Sequence, residues 1–344
     1  MLKSFTIKNF RCFQDFTIED LERVNLIVGP NNVGKTALLE AIWIQRGPNN
    51  PELGFQIDTF RGITTFSQQE PLSDLFFGFD QNETIELKGR GDWGDKFRIL
   101  RIYLEPKRQI EVPLDQSSVP FDKEIVFNYR DESGEEFISR AFLSVTGLQI
   151  KPASMTSRPF WIFLPARYRK SPVEDATYFG KLEIVVGREK EIVDLVKLVE
   201  PRLKRLAVIV RDGVSMIHGD IGLERMVPVP FMGDGMGRLL SLGLAIANAP
   251  NGVVLVDEFE NGLYYASMVK IWKAIAEFAR HFDVQLFATT HSEECVRAAH
   301  KAFSESERYD FRLHRIDRVK DKLRAVTYDQ ETLEATLEMG LDFR

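Results

Sequence analysis

The stretch NLIVGPNNVGKTALLEAIW, Asn25 to Trp43, decides the fold. Its apolar start reads as a short buried strand ending at glycine. Its end places Leu38, Leu39, Ile42 and Trp43 at helical spacing. Between them Gly29, Pro30, Asn31, Asn32, Val33, Gly34, Lys35 and Thr36 fit the pattern G-x-x-x-x-G-K-[ST] without a gap. Glycines there let successive backbone N–H groups turn inward around phosphate oxygens, and the following helix adds its positive end. Lys35 is suited to reach the β- and γ-phosphates of a nucleotide, and the Thr36 hydroxyl to ligate Mg²⁺. The alternative is a glycine-rich turn with a surface lysine; the strand before it and the helix after it weigh against that.

Downstream, VVLVDEFENGL repeats the strand-to-edge pattern. Val253 to Val256 form an apolar strand that delivers Asp257 and Glu258 at its C-terminal end, the edge at which open α/β sheets bind ligands. Asp257 is suited to hold Mg²⁺ directly or through water, and Glu258 to orient or deprotonate an attacking water. Solvated edge carboxylates are the competing reading, which the phosphate loop disfavours. A further apolar strand, Gln285 to Ala288, ends in Thr289, Thr290, His291 and Ser292, placing a histidine where it can hydrogen-bond a γ-phosphate. Finally, FMGDGMGRLLSLGLAIA opens an amphipathic helix with Gly233, Gly235 and Gly237. That cluster is either a flexible glycine-rich cap or a second anion-binding helix start. With one phosphate loop already present, the second option implies two chains sharing nucleotide.

The remaining texture fits an α/β protein with an added β region. LKSFTIKNFRCFQDFTIE alternates apolar and polar residues through Phe5, Ile7, Phe16 and Ile18, the pattern of a β-hairpin. From about Asn82 to Leu148, alternating strands broken by Gly-Asp and Ser-Gly turns predict antiparallel β structure, and RPFWIFLPARY a buried strand leaving through Pro165. Helical periodicity runs through Ile192, Val193, Leu195, Val196 and Val199 until Pro201 interrupts it. The last third then alternates helix and strand, which implies a parallel sheet with helices on its faces. Internal repeats and sustained heptads are absent.

Net charge of −6 in 344 residues gives no global sign of nucleic-acid or anionic-membrane binding. No stretch approaches the ~18 apolar residues of a membrane span, and the N-terminus lacks a signal-peptide core, so a soluble, cytoplasmic protein is expected. Cys12 and Cys295 have no metal-type spacing and read as buried free thiols.

The order of phosphate loop, glycine-rich helix start, Asp-Glu strand and strand-end histidine resembles an ABC-class ATPase head. Among these it is most similar to the RecF/SMC-like group and its OLD-family ATPases. IKNFRCF resembles that group's Asn-Phe-Arg entry, and DEFENGLYY its DEPExGLHP run. The resemblance implies an α/β P-loop NTPase with a mixed or parallel sheet flanked by helices, an antiparallel β subdomain and a short helical arm. It divides the chain into an N-terminal lobe at 1–165, an arm at 166–205 and a C-terminal lobe at 206–344, as one composite ATPase domain. It implies ATP and Mg²⁺ as cofactors, with Lys35 and Thr36 on phosphate and metal, Asp257 on the metal, Glu258 as catalytic base and His291 as γ-phosphate switch. Arg11 would lie near the nucleotide, and Gly233, Asp234 and Gly235 would face the nucleotide of a partner subunit. ATP would then close two heads into a homodimeric sandwich that hydrolysis releases.

Three departures matter. Gly233 occupies the signature serine position, removing a hydroxyl. Gln68, Gln69 and Gln81 all compete for the glutamine that links metal to arm. After the histidine strand, where OLD-family chains often carry a Toprim nuclease, FRLHRIDRVKDKLRAVTYDQETLEATLEMGLDFR shows no acidic nuclease constellation. In the arm, Arg188, Lys190, Lys197, Arg202, Lys204 and Arg205 mix with Glu189, Glu191 and Glu200, which favours a solvated helix face over a nucleic-acid patch.

The leading expectation is therefore an ATP-hydrolysing switch that dimerises and controls a separate effector, such as a nuclease in DNA maintenance or phage defence. A DNA-binding clamp head is disfavoured by the acidic balance. A slowly or non-hydrolysing nucleotide-gated scaffold is motivated by Gly233. A small-molecule kinase leaves the glycine helix start and the histidine strand without a purpose. No NKxD-type guanine-reading motif appears, but base recognition in this class is loose, so GTP in place of ATP stays open.

Overall fold

A computed structural model describes residues 1–46, 50–62, 72–106, 123–144, 147–151, 161–166, 171–184 and 187–340. Gln68 and Gln69 lie outside them. The chain divides into two compact units. The first comprises Met1–Leu21, Asn31–Arg158 and Ile316–Val326; the second comprises Glu22–Pro30, Pro159–Arg315 and Thr327–Arg344.

The first unit is built on the expected hairpin. Strands β1 (Leu2–Phe10) and β2 (Phe13–Ile18) pair antiparallel with Phe5 opposite Ile18 and Ile7 opposite Phe16, so all four apolar side chains share one buried face. The sheet continues through β4 (Ile85–Gly91), β5 (Phe97–Pro106), β6 (Lys123–Arg130), β7 (Glu136–Ser144) and β8 (Gly147–Lys151). It is seven-stranded in the order β2-β1-β4-β5-β6-β7-β8, antiparallel throughout. The Ser-Gly turn between β6 and β7 forms because the Asp131 carboxylate accepts from the backbone N–H groups of Ser133 at 2.8 Å and Glu135 at 3.0 Å. Among the described residues, two α-helices complete the unit, α1 (Lys35–Arg46) and α2 (Glu52–Phe60). Leu38, Leu39 and Ile42 are buried as their spacing predicts, and Trp43 is half-buried.

A six-stranded sheet runs in the order β16-β15-β3-β14-β13-β9, and its strands β3, β14, β13 and β9 lie wholly in the second unit. Its members are β3 (Val24–Val28), β9 (Trp161–Leu164), β13 (Val253–Val256), β14 (Gln285–Thr289), β15 (Phe311–Val319) and β16 (Lys322–Tyr328). From β15 to β9 each neighbouring pair is parallel. Strands buried on both faces need continuous apolar runs, and β3, β13 and β14 are buried at every residue. The connecting helices are α5 (Asp234–Ala247), α6 (Met268–His281) and α7 (Glu293–Ser304), with α8 (Gln330–Glu338) after β16. The expected short helical segment is two helices, α3 (Pro172–Glu183) and α4 (Arg188–Val196); Phe179, Leu182, Ile192 and Leu195 bury into the unit's core. A small antiparallel sheet follows, made of β10 (Arg205–Arg211), β11 (Val214–Asp220) and β12 (Val227–Pro228).

One polar residue sits inside the central strand. Asn25 Oδ1 accepts from the Glu22 N–H at 2.9 Å, its amide donates to the Glu22 carbonyl at 2.7 Å, and it pairs with His314 Nε2 at 3.3 Å. His314 Nδ1 pairs with the Thr327 hydroxyl at 3.0 Å. Burial holds the His314 pKa down at about 3, so the ring is neutral and acts as a satisfied bridge between strands.

Candidate nucleotide site

Within the second unit, three adjacent parallel strands end at one edge. β3 leads into Gly29 and Pro30, β14 into Thr290 and His291, and β13 into Asp257 and Glu258. The Thr290 N–H donates to the Ile27 carbonyl at 3.1 Å, binding the ends of β14 and β3 together. Gly29 and the exposed His291 line the same small depression.

Thr289 fixes the two acids. Its hydroxyl donates to Asp257 Oδ1 at 2.6 Å and accepts from the Glu258 N–H at 2.8 Å. Asp257 is nearly buried, while Glu258 is half-exposed. Glu258 has φ of +50°, a left-handed conformation that costs a non-glycine residue ~1–2 kcal/mol. Its neighbours hold it there: the Asp257 N–H donates to the Leu164 carbonyl and the Phe259 N–H to the Thr289 carbonyl, each at 2.9 Å. The buried Phe259 ring also stacks on Trp272 of α6, with centroids 3.8 Å apart. A strained residue locked on both sides presents its side chain in one direction. Further support comes from within the same loop, where the Asn261 amide donates to Glu258 Oε2 at 2.6 Å. Glu260 accepts from the His291 N–H at 2.9 Å, tying the two strand ends together.

The glycine-rich helix start packs onto this loop. Gly233 caps α5 with φ 98° and ψ 157°, a region essentially closed to other residues. A Cβ at Gly235 would stand 2.5 Å from the Gly262 carbonyl oxygen, so the two loops form one surface. From the same helix, Arg238 Nη2 donates to the carbonyls of Asp257 at 2.7 Å and Glu258 at 3.0 Å. Burial pushes the Arg238 pKa down, and the charges of Asp257, Glu260 and Glu258 push it back up.

The rest of the phosphate loop, Asn31 to Thr36, belongs to the first unit. Gly29, Asn32 and Gly34 all have positive φ, the alternation that turns backbone N–H groups toward an anion. Gly34 is required twice over: its φ is +93°, and a Cβ would meet Cys12 Sγ at 2.4 Å and Phe13 Cζ at 2.8 Å. The Leu38 N–H donates to the Gly34 carbonyl at 2.8 Å and starts α1, whose first turn carries no acidic residue to compete with phosphate. Lys35 is nearly buried and Thr36 half-buried.

Arg11 lies in the turn between β1 and β2. Its guanidinium pairs with Asp58 at 2.8 Å, with Asp74, and with Glu40 at 3.4 Å. Glu40 also takes a two-pronged pair from Arg61. Burial first, then the hydrogen bond and charge of Asp74, pushes the Asp58 pKa up to about 7. Cys12 is half-buried, not buried as expected, because it lies in the β1–β2 turn; Cys295 is buried.

Thr289, Arg238 and Asn261 were not singled out by sequence. Thr289 and Asn261 stood inside quoted motifs, whereas Arg238 has no signal beyond its place in the glycine-rich helix.

The donor set fits Mg²⁺ brought by a nucleotide. Among the described residues no group of three or more His, Cys, Asp or Glu forms a metal cage. The oriented carboxylate of Asp257 suits an ion that takes few protein ligands and completes its shell with phosphate and water. Among the described residues no helix is long and apolar enough to cross a membrane.

Comparison with known proteins gives the fold and the family. A curated relative, an ATP/GTP phosphatase of Helicobacter pylori, is 23% identical over 337 residues, covering 89% of this chain and 90% of the relative. An Smc head bound to the C-winged helix domain of ScpA has a TM-score of 0.55 at 14% identity, over 97% of this chain and 99% of that one. The Smc head with an extended coiled coil, bound to the C-terminal domain of ScpA from Pyrococcus furiosus, has a TM-score of 0.53 at 13% identity, over 98% of both. These likenesses bear out the expected α/β P-loop head fold. Residues 24–297 match the family described as AAA domain, putative AbiEii toxin, Type IV TA system; the chain belongs to that family and is a P-loop ATPase of the AAA/ABC type.

Proposed function

We propose that this chain is a Mg²⁺-dependent ATPase switch: ATP closes it head-to-head on a second copy, hydrolysis opens it, and the cycle governs a separate effector. The observation that carries the reading is the locked Asp257-Glu258 pair, with Thr289 bonded to both and Glu258 held in a strained conformation. Gly29 to Thr36 take the phosphates, Lys35 neutralising the β- and γ-oxygens. Thr36 and Asp257 would hold Mg²⁺, which would offset charge on the phosphates. Glu258 orients a water and receives its proton as the water oxygen attacks the γ-phosphorus and the bond to the β–γ bridging oxygen breaks. His291 donates to the γ-phosphate. Gly233, Asp234 and Gly235 receive the phosphate presented by the partner copy.

We place the chain nearest the OLD-type ATPases on its DEFENGLYY run. The toxin–antitoxin description of its family suits a head that controls a second protein, such as a nuclease acting in defence. Release of phosphate from ATP tests the enzymatic part. Wild type should turn over only with Mg²⁺, and Glu258→Gln should bind ATP yet lose turnover; equal rates in the two proteins would remove Glu258 from the reaction.

A further inference from the structure

Strand β10 is an outer member of its sheet, whose order is β10-β11-β12. It pairs with β11 over its whole length, from Arg205 opposite Asp220 to Arg211 opposite Val214, without a shift of register. In an antiparallel ladder every second residue turns its N–H and C=O away from the partner strand. Among the described residues neither a strand nor a loop bonds the groups that β10 turns outward. Exposed edges are ordinarily blunted by proline, a bulge or a charge along the strand. Between its terminal arginines the run Leu-Ala-Val-Ile-Val of β10 has none of these.

The two faces of the strand differ. Leu206 is buried in the core of the second unit, and Val208 packs against that core. Alternation puts Arg205, Ala207, Ile209 and Arg211 on the other face, a short apolar centre between two cations. Arg205 is 65% exposed, and its one ion pair among the described residues is to Asp220 at 4.0 Å. Arg211 and the preceding Lys204 are exposed, and neither forms an ion pair among the described residues. Asp212, next to Arg211, lies in the turn to β11 with φ of +50°.

These features select the occupant. A strand edge offers donors and acceptors together. Nucleic-acid phosphates accept hydrogen bonds and donate none, so they leave the outward carbonyls of β10 unmet. A second copy in full antiparallel register about Val208 sets Arg205 against Arg211 at both ends, and like charges directly opposite are destabilising. An extended peptide supplies N–H and C=O together, and carboxylates at its ends turn both arginines from a cost into an attraction.

We propose that β10 is a docking edge at which an extended segment of a partner protein, acidic at both ends and apolar between, adds as a further strand. Main-chain bonds supply the affinity and the two arginines the selectivity. The docking edge needs no nucleotide, so it stands or falls apart from the ATPase reading.

Fluorescence anisotropy of labelled seven-residue peptides on the full chain, titrated to about 1 mM, tests it. The probes are Glu-Val-Thr-Val-Thr-Val-Glu, a version with lysine at both ends, and a version with proline at the five central positions, which has no central N–H. The chain should bind the glutamate-ended peptide about tenfold or more tightly than either of the others. Arg205→Glu combined with Arg211→Glu should invert the preference between the first two, and the gained binding shows that the variant is folded. Equal binding of the proline peptide would leave only electrostatic attraction and overturn strand addition. No binding of the glutamate-ended peptide, or binding that the double variant leaves unchanged, would overturn the docking edge. Self-association of the nucleotide-free chain in sedimentation, abolished by Ile209→Lys, would make a second copy the occupant and overturn the proposal as well.

Discussion

Two glycines two positions apart in α5 should respond differently to alanine. In a helix interior, alanine in place of glycine gains ~1 kcal/mol. At Gly237 nothing offsets that gain, because the added methyl meets open space. Gly237→Ala should therefore stabilise the second unit by about 1 kcal/mol. At Gly235 the methyl would stand 2.5 Å from the Gly262 carbonyl oxygen, well inside the 3.4 Å at which ordinary contact begins. The atom in the way is backbone, so relief requires the loop Glu260–Leu263 to retreat from α5. Overpacking of this kind costs ~1–3 kcal/mol, which cancels or exceeds the helical gain and leaves the two variants ~1–3 kcal/mol apart. Urea titration followed by far-UV circular dichroism measures the separation, read on the transition of the second unit because two units need not unfold together. Because the displaced loop carries Asn261, which bonds Glu258, Gly235→Ala should also slow ATP turnover. If Gly235→Ala raises the urea midpoint as far as Gly237→Ala does, the close approach of the two loops is absent and the reasoning fails.

Other consequences are as direct. Glu258→Gln should lower ATP turnover by ~10²–10⁴, the range for losing a general base, with little change in nucleotide affinity; single-turnover phosphate release reads the first and equilibrium binding the second. Lys35→Ala should abolish nucleotide binding in the same equilibrium assay, and retained affinity would place the phosphates elsewhere. The His314 ring has a folded pKa of about 3 against an ordinary 6.5, so it stays neutral in the folded chain while the unfolded chain takes up a proton. Its contribution is thus complete above pH 6.5 and is lost as pH falls toward 3, amounting to about 2 kcal/mol between pH 7 and pH 5. The stability difference between wild type and His314→Asn should shrink by that amount over the same interval; a pH-independent difference would mean the ring is not buried neutral.

The sequence carried the strands and helices around the candidate site because each obeys a strong local rule. The phosphate loop pattern needs glycine at positions whose φ is positive, and Gly29 and Gly34 have it. The β1–β2 register follows from period-two alternation, so Phe5, Ile7, Phe16 and Ile18 were legible as one face. What remained hidden depends on residues far apart in the chain. β15 lies parallel to β3 inside the sheet, but FRLHRIDRV mixes charge with its apolar residues and does not look like an interior strand. Arg238 works through backbone carbonyls of another segment, which no spacing rule records. Arg11 illustrates a related limit. Its guanidinium sits among Asp58, Asp74 and Glu40, partners whose convergence no local pattern shows.

The central claim is that one copy of the chain completes the reaction of another. The most direct measurement is the ATP hydrolysis rate per chain as protein concentration is raised at saturating Mg-ATP. The account predicts a rate per chain that climbs with concentration and then levels off as closed pairs fill. A rate per chain that is finite and constant down to the most dilute samples would show each copy acting alone, and would contradict it.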